Sequence, residues 1–223
     1  MNRGIRHGAI ARRALLAGLA TVGGRTALAG LPVPRGDRLA FRLMRHGSVI
    51  GTHEVVFRRD GEALDVDIAV DVLVKFGPIP LVRYTHRNRE TWQRDRLVGL
   101  SADTYRNGTR LRMSARWTEA GLAVEGSGTR PYIAPDNALP TTYWNPRMLL
   151  GPMIGTQDGG LVKPVVTPEP VAPIRVAPGD AIHARQYKLT GDLDLELWYD
   201  PSDTWAGMRF TVDDGSVINY ERL

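Results

Sequence analysis

Alternation with a period of two constrains this chain more than any other feature. In Leu64-Asp65-Val66-Asp67-Ile68-Ala69-Val70-Asp71-Val72, the residues Leu64, Val66, Ile68, Val70 and Val72 share one side, and Asp65, Asp67 and Asp71 share the other. Successive side chains of a strand point to opposite faces, so this is a strand with one buried and one solvated face. The pattern recurs from Leu39 to Gly126, broken by turn dipeptides such as Asp60-Gly61 and Asn107-Gly108. It predicts strands near 39–45, 49–59, 63–76, 80–93, 97–106, 109–118 and 122–126, and a second block near 181–189, 193–200, 205–212 and 216–221. In the second block Leu193, Leu195, Leu197 and Tyr199 form another one-sided stripe.

A long antiparallel sheet with one apolar face cannot stay flat, because strand twist accumulates and the sheet curls around that face. The fold class is therefore all-β and mainly antiparallel: a curled meander forming an open or incomplete β-barrel of about 10–12 strands. Residues 127–180 break the pattern and hold 10 of the 15 prolines. Proline at this density removes ladder donors, so the segment reads as a long helix and loop excursion covering one side, with a short strand at 161–166.

Inside the excursion, Tyr143, Trp144, Met148 and Leu149 concentrate apolar surface between Gly and Pro residues. Asn145 suits an N-cap and Pro146 the first helical position, so a short helix runs from Pro146 to about Leu150 and stops at Gly151-Pro152. Placed between the two strand blocks, it reads as a plug or lid over the open side.

Strand parity nominates a ligand site. A three-residue loop at Gly77–Ile79 sets Val72 opposite Tyr84 and Val70 opposite His86. A hairpin at Asp60-Gly61 sets Val55 opposite Val66 and His53 opposite Ile68. His53, Tyr84, His86, Asn88, Glu90 and Trp92 then point inward among aliphatics. Polar groups on such a face need partners or water, so they either line a cavity or sit at a wet rim. With Tyr143, Trp144, Met148 and Leu149 they are the candidate pocket. Outside, Arg83, Arg87 and Arg89 run beside the aspartate stripe and predict cross-strand ion pairs, while Arg110, Arg112 and Arg116 form a second basic row that reads first as a solvated face, with phospholipid head groups or polysaccharide as the alternatives.

Residues 1–29 read as a signal peptide: a basic start, an apolar run from Ala14 to Val22 too short to span a bilayer, and Ala27-Leu28-Ala29 before Gly30. Arg12-Arg13 followed by Leu15-Leu16 resembles a twin-arginine signal, which implies the export machinery as a partner and a periplasmic destination. Residues 30–37 then form a short linker and 38–223 a single domain. The formal charge of +5 belongs to this leader: five of the 29 basic residues sit there with no acidic residue, leaving 24 basic against 24 acidic residues in the body. That balance points away from nucleic acid, and no later stretch is apolar enough for an integral membrane segment.

No residue set predicts catalysis, a metal or a cofactor. Cysteine is absent, and HExxH, GxSxG and phosphate-binding glycine loops do not occur. His46 and His53 fall on opposite faces by parity or across a turn, a poor metal spacing. Gln157 and Asp158 are the only reactive-looking side chains of the plug segment, and no partner is evident for either.

Several motifs together carry a resemblance: FRLMRHGSVIGTHEVVF, ETWQRDRLVGL, TYRNGT, TTYWNP followed by LLGPMIGTQDGGLV, YKLTGDLDLELWYD and WAGMRFTVDDGSVINYERL. The chain resembles an exported proteobacterial family of unknown function over about residues 38–223. It departs at Asp95, where that family usually has Gly, and in the longer LLGPMIGTQDG loop. The resemblance implies an open antiparallel barrel of the kind shared by periplasmic lipoprotein carriers and by a small pigment-biosynthesis enzyme, and it implies no catalytic residue. The expectation is non-catalytic binding of an apolar or amphipathic, lipid-like ligand, or envelope maintenance. The alternatives are a cofactor-free enzyme using the polar stripe inside the barrel and a structural or protein-interaction module.

Overall fold

The computed structural model describes residues 30–76, 79–177 and 179–223. The expected signal peptide, with Arg12, Arg13, Ala27 and Ala29, lies outside the described residues.

The first block forms eight strands: β1 (Arg38–Arg45), β2 (Ser48–Asp60), β3 (Ala63–Phe76), β4 (Ile79–Gln93), β5 (Arg96–Arg106), β6 (Thr109–Thr118), β7 (Gly121–Gly126) and β8 (Thr129–Ile133). The excursion holds β9 (Leu139–Pro140), a 3₁₀ helix (Pro146–Leu150), β10 (Met153–Ile154) and β11 (Leu161–Val162). The second block is β12 (Val165–Arg175), β13 (Ala181–Thr190), β14 (Leu195–Tyr199), β15 (Trp205–Thr211) and β16 (Val217–Arg222). Thirteen strands make one sheet in the order β12 through β16, then β1 through β8. Both blocks are meanders, joined by antiparallel pairing of the first and last strands, Phe41 with Arg222 through Arg45 with Ile218. The sheet does not close: β8 and β12 are its free edges, and the excursion connects them.

Parity survives even where register shifts. The β3–β4 pairs are as expected, Val72 with Tyr84 and Val70 with His86. The β2–β3 hairpin turns over Gly61-Glu62 instead, which pairs Val55 with Ile68 and His53 with Val70. That change moves each residue's partner by two positions, so every side chain keeps its face. Asn107-Gly108 forms the expected tight turn, both residues with positive φ. At the β4–β5 turn the left-handed residue is Arg94 (φ 56°), so the Asp95 position does not require glycine.

The excursion is more ordered than its proline content implied. The expected strand at 161–166 is split: Leu161–Val162 joins a small sheet with β9 and β10, and Val165 begins β12. β12 carries Pro168, Pro170 and Pro173 yet pairs with β13 over most of its length, with an irregularity between Glu169 and Ala172. An edge strand has one side free, so prolines whose missing donors face outward cost no ladder bond.

The core is the inner face of the curl. Phe41, Val55, Leu64, Val66, Trp92, Val124, Leu197, Tyr199 and Trp205 are buried there with Trp144, Met148, Met153 and Ile154 of the excursion. Residues 30–37 are not a free linker: Leu31 is buried in this core and Val33 packs against it. A smaller cluster, Ala184, Trp198 and Ala206 with Ile174 and Ile182, packs separately in the second block. The expected outer ion pairs form at Arg87–Asp71 and Arg89–Asp67, and Arg110 and Arg112 both pair with Asp103. Among the described residues no helix is long and apolar enough to cross a membrane.

Candidate functional site

The inward stripe of β4 passes from an open region into a sealed one. At the open end, a cavity of about 590 Å³ lies between β2–β4 and β15–β16. Its walls are mostly aliphatic and aromatic, including Ile68, Val70, Val72, Met208, Phe210 and Tyr220. Four of the ten candidate residues line it: His53, Tyr84, His86 and Tyr143. Thr141, Thr142, Thr156 and Gln157 of the excursion form part of its wall, and Arg45, Arg106, Asp194, Asp213 and Asp214 also border it.

His53 sits in an aromatic box. Its ring centroid is 5.0 Å from Trp205, 5.6 Å from Tyr220 and 6.1 Å from Phe41, each edge-on. Neither ring nitrogen has a hydrogen-bond partner. Burial, with His86 adding to it, pulls its pKa down to about 3, so the imidazole is neutral at ordinary pH. His86 is also held neutral, its pKa lowered to about 4 by burial and the nearby Arg87. Its Nδ1 lies 2.8 Å from the Thr104 hydroxyl. Burial raises the Tyr84 pKa as well, so it stays a neutral phenol.

Tyr143 adopts a left-handed backbone (φ 66°), a strained conformation for an aromatic residue. Its carbonyl accepts a 2.7 Å hydrogen bond from the Tyr199 hydroxyl, and its ring lies 5.6 Å from that of Trp205. These contacts hold the chain reversal that sends Tyr143 toward the cavity and Trp144 toward the core.

The other six candidates do not line the cavity. Asn88 is buried with both side-chain polar atoms unpartnered. Glu90, Trp92 and Trp144 are each 0% exposed and form one unit. Glu90 Oε2 accepts from Trp92 Nε1 at 2.8 Å and from Trp144 Nε1 at 3.1 Å. The two indoles meet edge-on at 5.5 Å, and Trp144 meets Phe57 at 5.2 Å. Burial raises the Glu90 pKa to about 7, against the opposing pull of the Thr142 side chain and the two indoles. Oε1 meets no donor in hydrogen-bond geometry. Met148 is the buried residue of the 3₁₀ helix, whose Asn145 cap accepts from the Arg147 amide at 3.1 Å, and Leu149 is half-buried. Glu90 and His86 lie four residues apart on one strand, about 13 Å at strand rise, too far to act on one proton.

Asp158 has a local structural role. Its carboxylate accepts from the Gly160 amide at 2.9 Å, and its carbonyl accepts from the Gly128 amide at 3.0 Å. A Cβ at Gly126 would run into that same carbonyl, which is why the plug can lie against the β7–β8 edge. His46 is exposed at the β1–β2 turn, away from buried His53. Sequence reasoning missed Thr142 and Thr156, whose hydroxyls are legible only once the excursion is seen to line the cavity. It also missed the aromatic box of Phe41, Trp205 and Tyr220, three residues on three strands.

A curled, unclosed antiparallel sheet with a partly filled interior defines an open-barrel protein. Within that class the chain belongs to the family described as domain of unknown function DUF6134, which matches residues 41–223. It is also similar to a crystal structure from Brucella abortus, a beta-barrel-like protein of domain of unknown function DUF1849. That likeness has a TM-score of 0.58 at 10% identity and covers 83% of this chain and 94% of the other, so it shows the fold alone. No match to a curated protein is found.

Proposed function

We propose that the protein binds an amphipathic, lipid-like molecule in the cavity of the open barrel, without catalysis, as a carrier or maintenance factor of the bacterial envelope. His53 carries this reading. A neutral imidazole with both nitrogens unpartnered, edge-on to three aromatic rings and lining a mostly apolar cavity, is an unsatisfied polar point at the wall of the site. Leaving such a group unpaired costs about 1–3 kcal/mol, which a ligand hydroxyl, carbonyl or phosphate oxygen would recover. The volume falls within the range of small-molecule sites. The leader supports a periplasmic setting, where such ligands dissolve poorly in water and a carrier is useful.

Titration of delipidated protein with fluorescent fatty acids and phospholipids tests the reading, with native mass spectrometry for co-purified lipid. Saturable binding is expected, and Val72→Trp, which fills the cavity from its wall, should weaken it by more than about tenfold with the fold intact. Absence of both binding and co-purified lipid would remove the proposal.

A further inference from the structure

β3 and β4 are the longest strands, 14 and 15 residues, and their hairpin outruns its neighbours. On one side the last pair with β2 is Gly51 with Val72; on the other, the last pair with β5 is Tyr84 with Arg106. Beyond these pairs, among the described residues, the arms Leu73–Lys75 and Leu81–Arg83 join no third strand, and Arg83 is tied sideways through its backbone to Asn107 of the β5–β6 turn. Their inward side chains, Val74 and Val82, continue the cavity wall to its mouth. Their outward side chains include Leu73 and Leu81, 44% and 58% exposed, and on neighbouring β2 Val49 is 55% exposed. Exposed aliphatics gathered near the end of a ribbon whose inner face is also apolar mark an interaction surface.

Charge selects the occupant. Lys75 and Arg83 alternate with the two leucines, and Arg106 stands beside them at the cavity mouth. No Asp or Glu occurs within 45–53, 72–89 or 104–118, the segments that build this part of the rim. The acidic residues of the mouth, Asp194, Asp213 and Asp214, belong to the second strand block. Exposed aliphatics flanked by cations fit an anionic bilayer, where apolar insertion and head-group attraction add.

We propose that Leu73 and Leu81, with Lys75 and Arg83, dock the protein on an anionic phospholipid surface with the cavity mouth against it. The proposal rests on the lipid-binding reading for its purpose, transfer between membrane and cavity, but it is tested separately. The chain from Gly30 onward carries the whole fold described above and excludes the arginine-rich leader. It should co-sediment with vesicles containing phosphatidylglycerol and not with phosphatidylcholine alone. Leu73→Glu with Leu81→Glu, and independently Lys75→Glu with Arg83→Glu, should each weaken that binding by more than about tenfold. None of the four lines the cavity, so circular dichroism and fatty-acid binding in solution should be unchanged. Vesicle binding that both double variants retain would overturn the proposal, as would no vesicle binding by the parent chain. Self-association lost in the leucine variant would also overturn it, by assigning the face to a second copy. Loss of fatty-acid binding by the parent chain, with docking intact, would instead defeat only the carrier reading.

Discussion

One strand runs through two environments. At the His86 end of β4 the inward side chains border a cavity; at the Trp92 end they are locked under the excursion. The two ends carry polar residues of similar sequence appearance, but they differ in what covers them. Thr142 and Tyr143 border the cavity, whereas the next residue, Trp144, donates to Glu90 and packs between Trp92 and Phe57. A buried carboxyl with two indole donors is a fastening of the plug, while a buried imidazole with no partner is available to a ligand.

The largest way to break this contrast is at the plug. Trp144→Ala removes a fully buried indole and one donor to Glu90, and should cost about 3–5 kcal/mol in urea unfolding. A variant of near parental stability would show that the excursion is not part of the core.

The next effect is a pH profile. Folding raises the Glu90 pKa from 4.5 to about 7, so its contribution to stability is complete below pH 4.5 and is lost as the pH rises through about 7. Glu90→Gln keeps the acceptor for the indoles and removes the titration. Relative to the parent, it should gain roughly 2–4 kcal/mol between pH 4.5 and pH 8, read from unfolding curves at both values. An unchanged difference would mean that Glu90 is solvated.

His53 runs in the opposite direction. Its pKa is depressed from 6.5 to about 3, so its contribution is present above pH 6.5 and is lost as the pH falls toward 3. His53→Phe suits the aromatic box and should reduce the parent's stability loss between pH 7 and pH 5 by about 2 kcal/mol, while weakening ligand binding. The Glu90 and His53 variants together separate the fastening from the site: the first should leave ligand affinity near parental and the second should not.

Much of the architecture was legible because alternation is a local signal. The stripe of Leu64 through Val72 and the tight turn at Asn107-Gly108 needed only neighbouring residues to be read, and parity protected the inward assignment of His53 even when its hairpin turned one residue later than expected and its partner moved by two. Asn145-Pro146 announced its helix start in the same local way. The edge strand β12 was hidden because proline density argues against a ladder unless one side of the strand is known to be free.

The sequence by itself determined which side chains face inward, where the chain turns and that the sheet must curl. Only the tertiary structure decided that β1 pairs with β16, that the excursion ties the two free edges, and where along β4 the interior changes from cavity to core. Face and turn are set by residues one to four positions apart. Whether a buried polar group is satisfied depends on side chains such as Trp144, 54 residues from Glu90, and no local pattern encodes that distance.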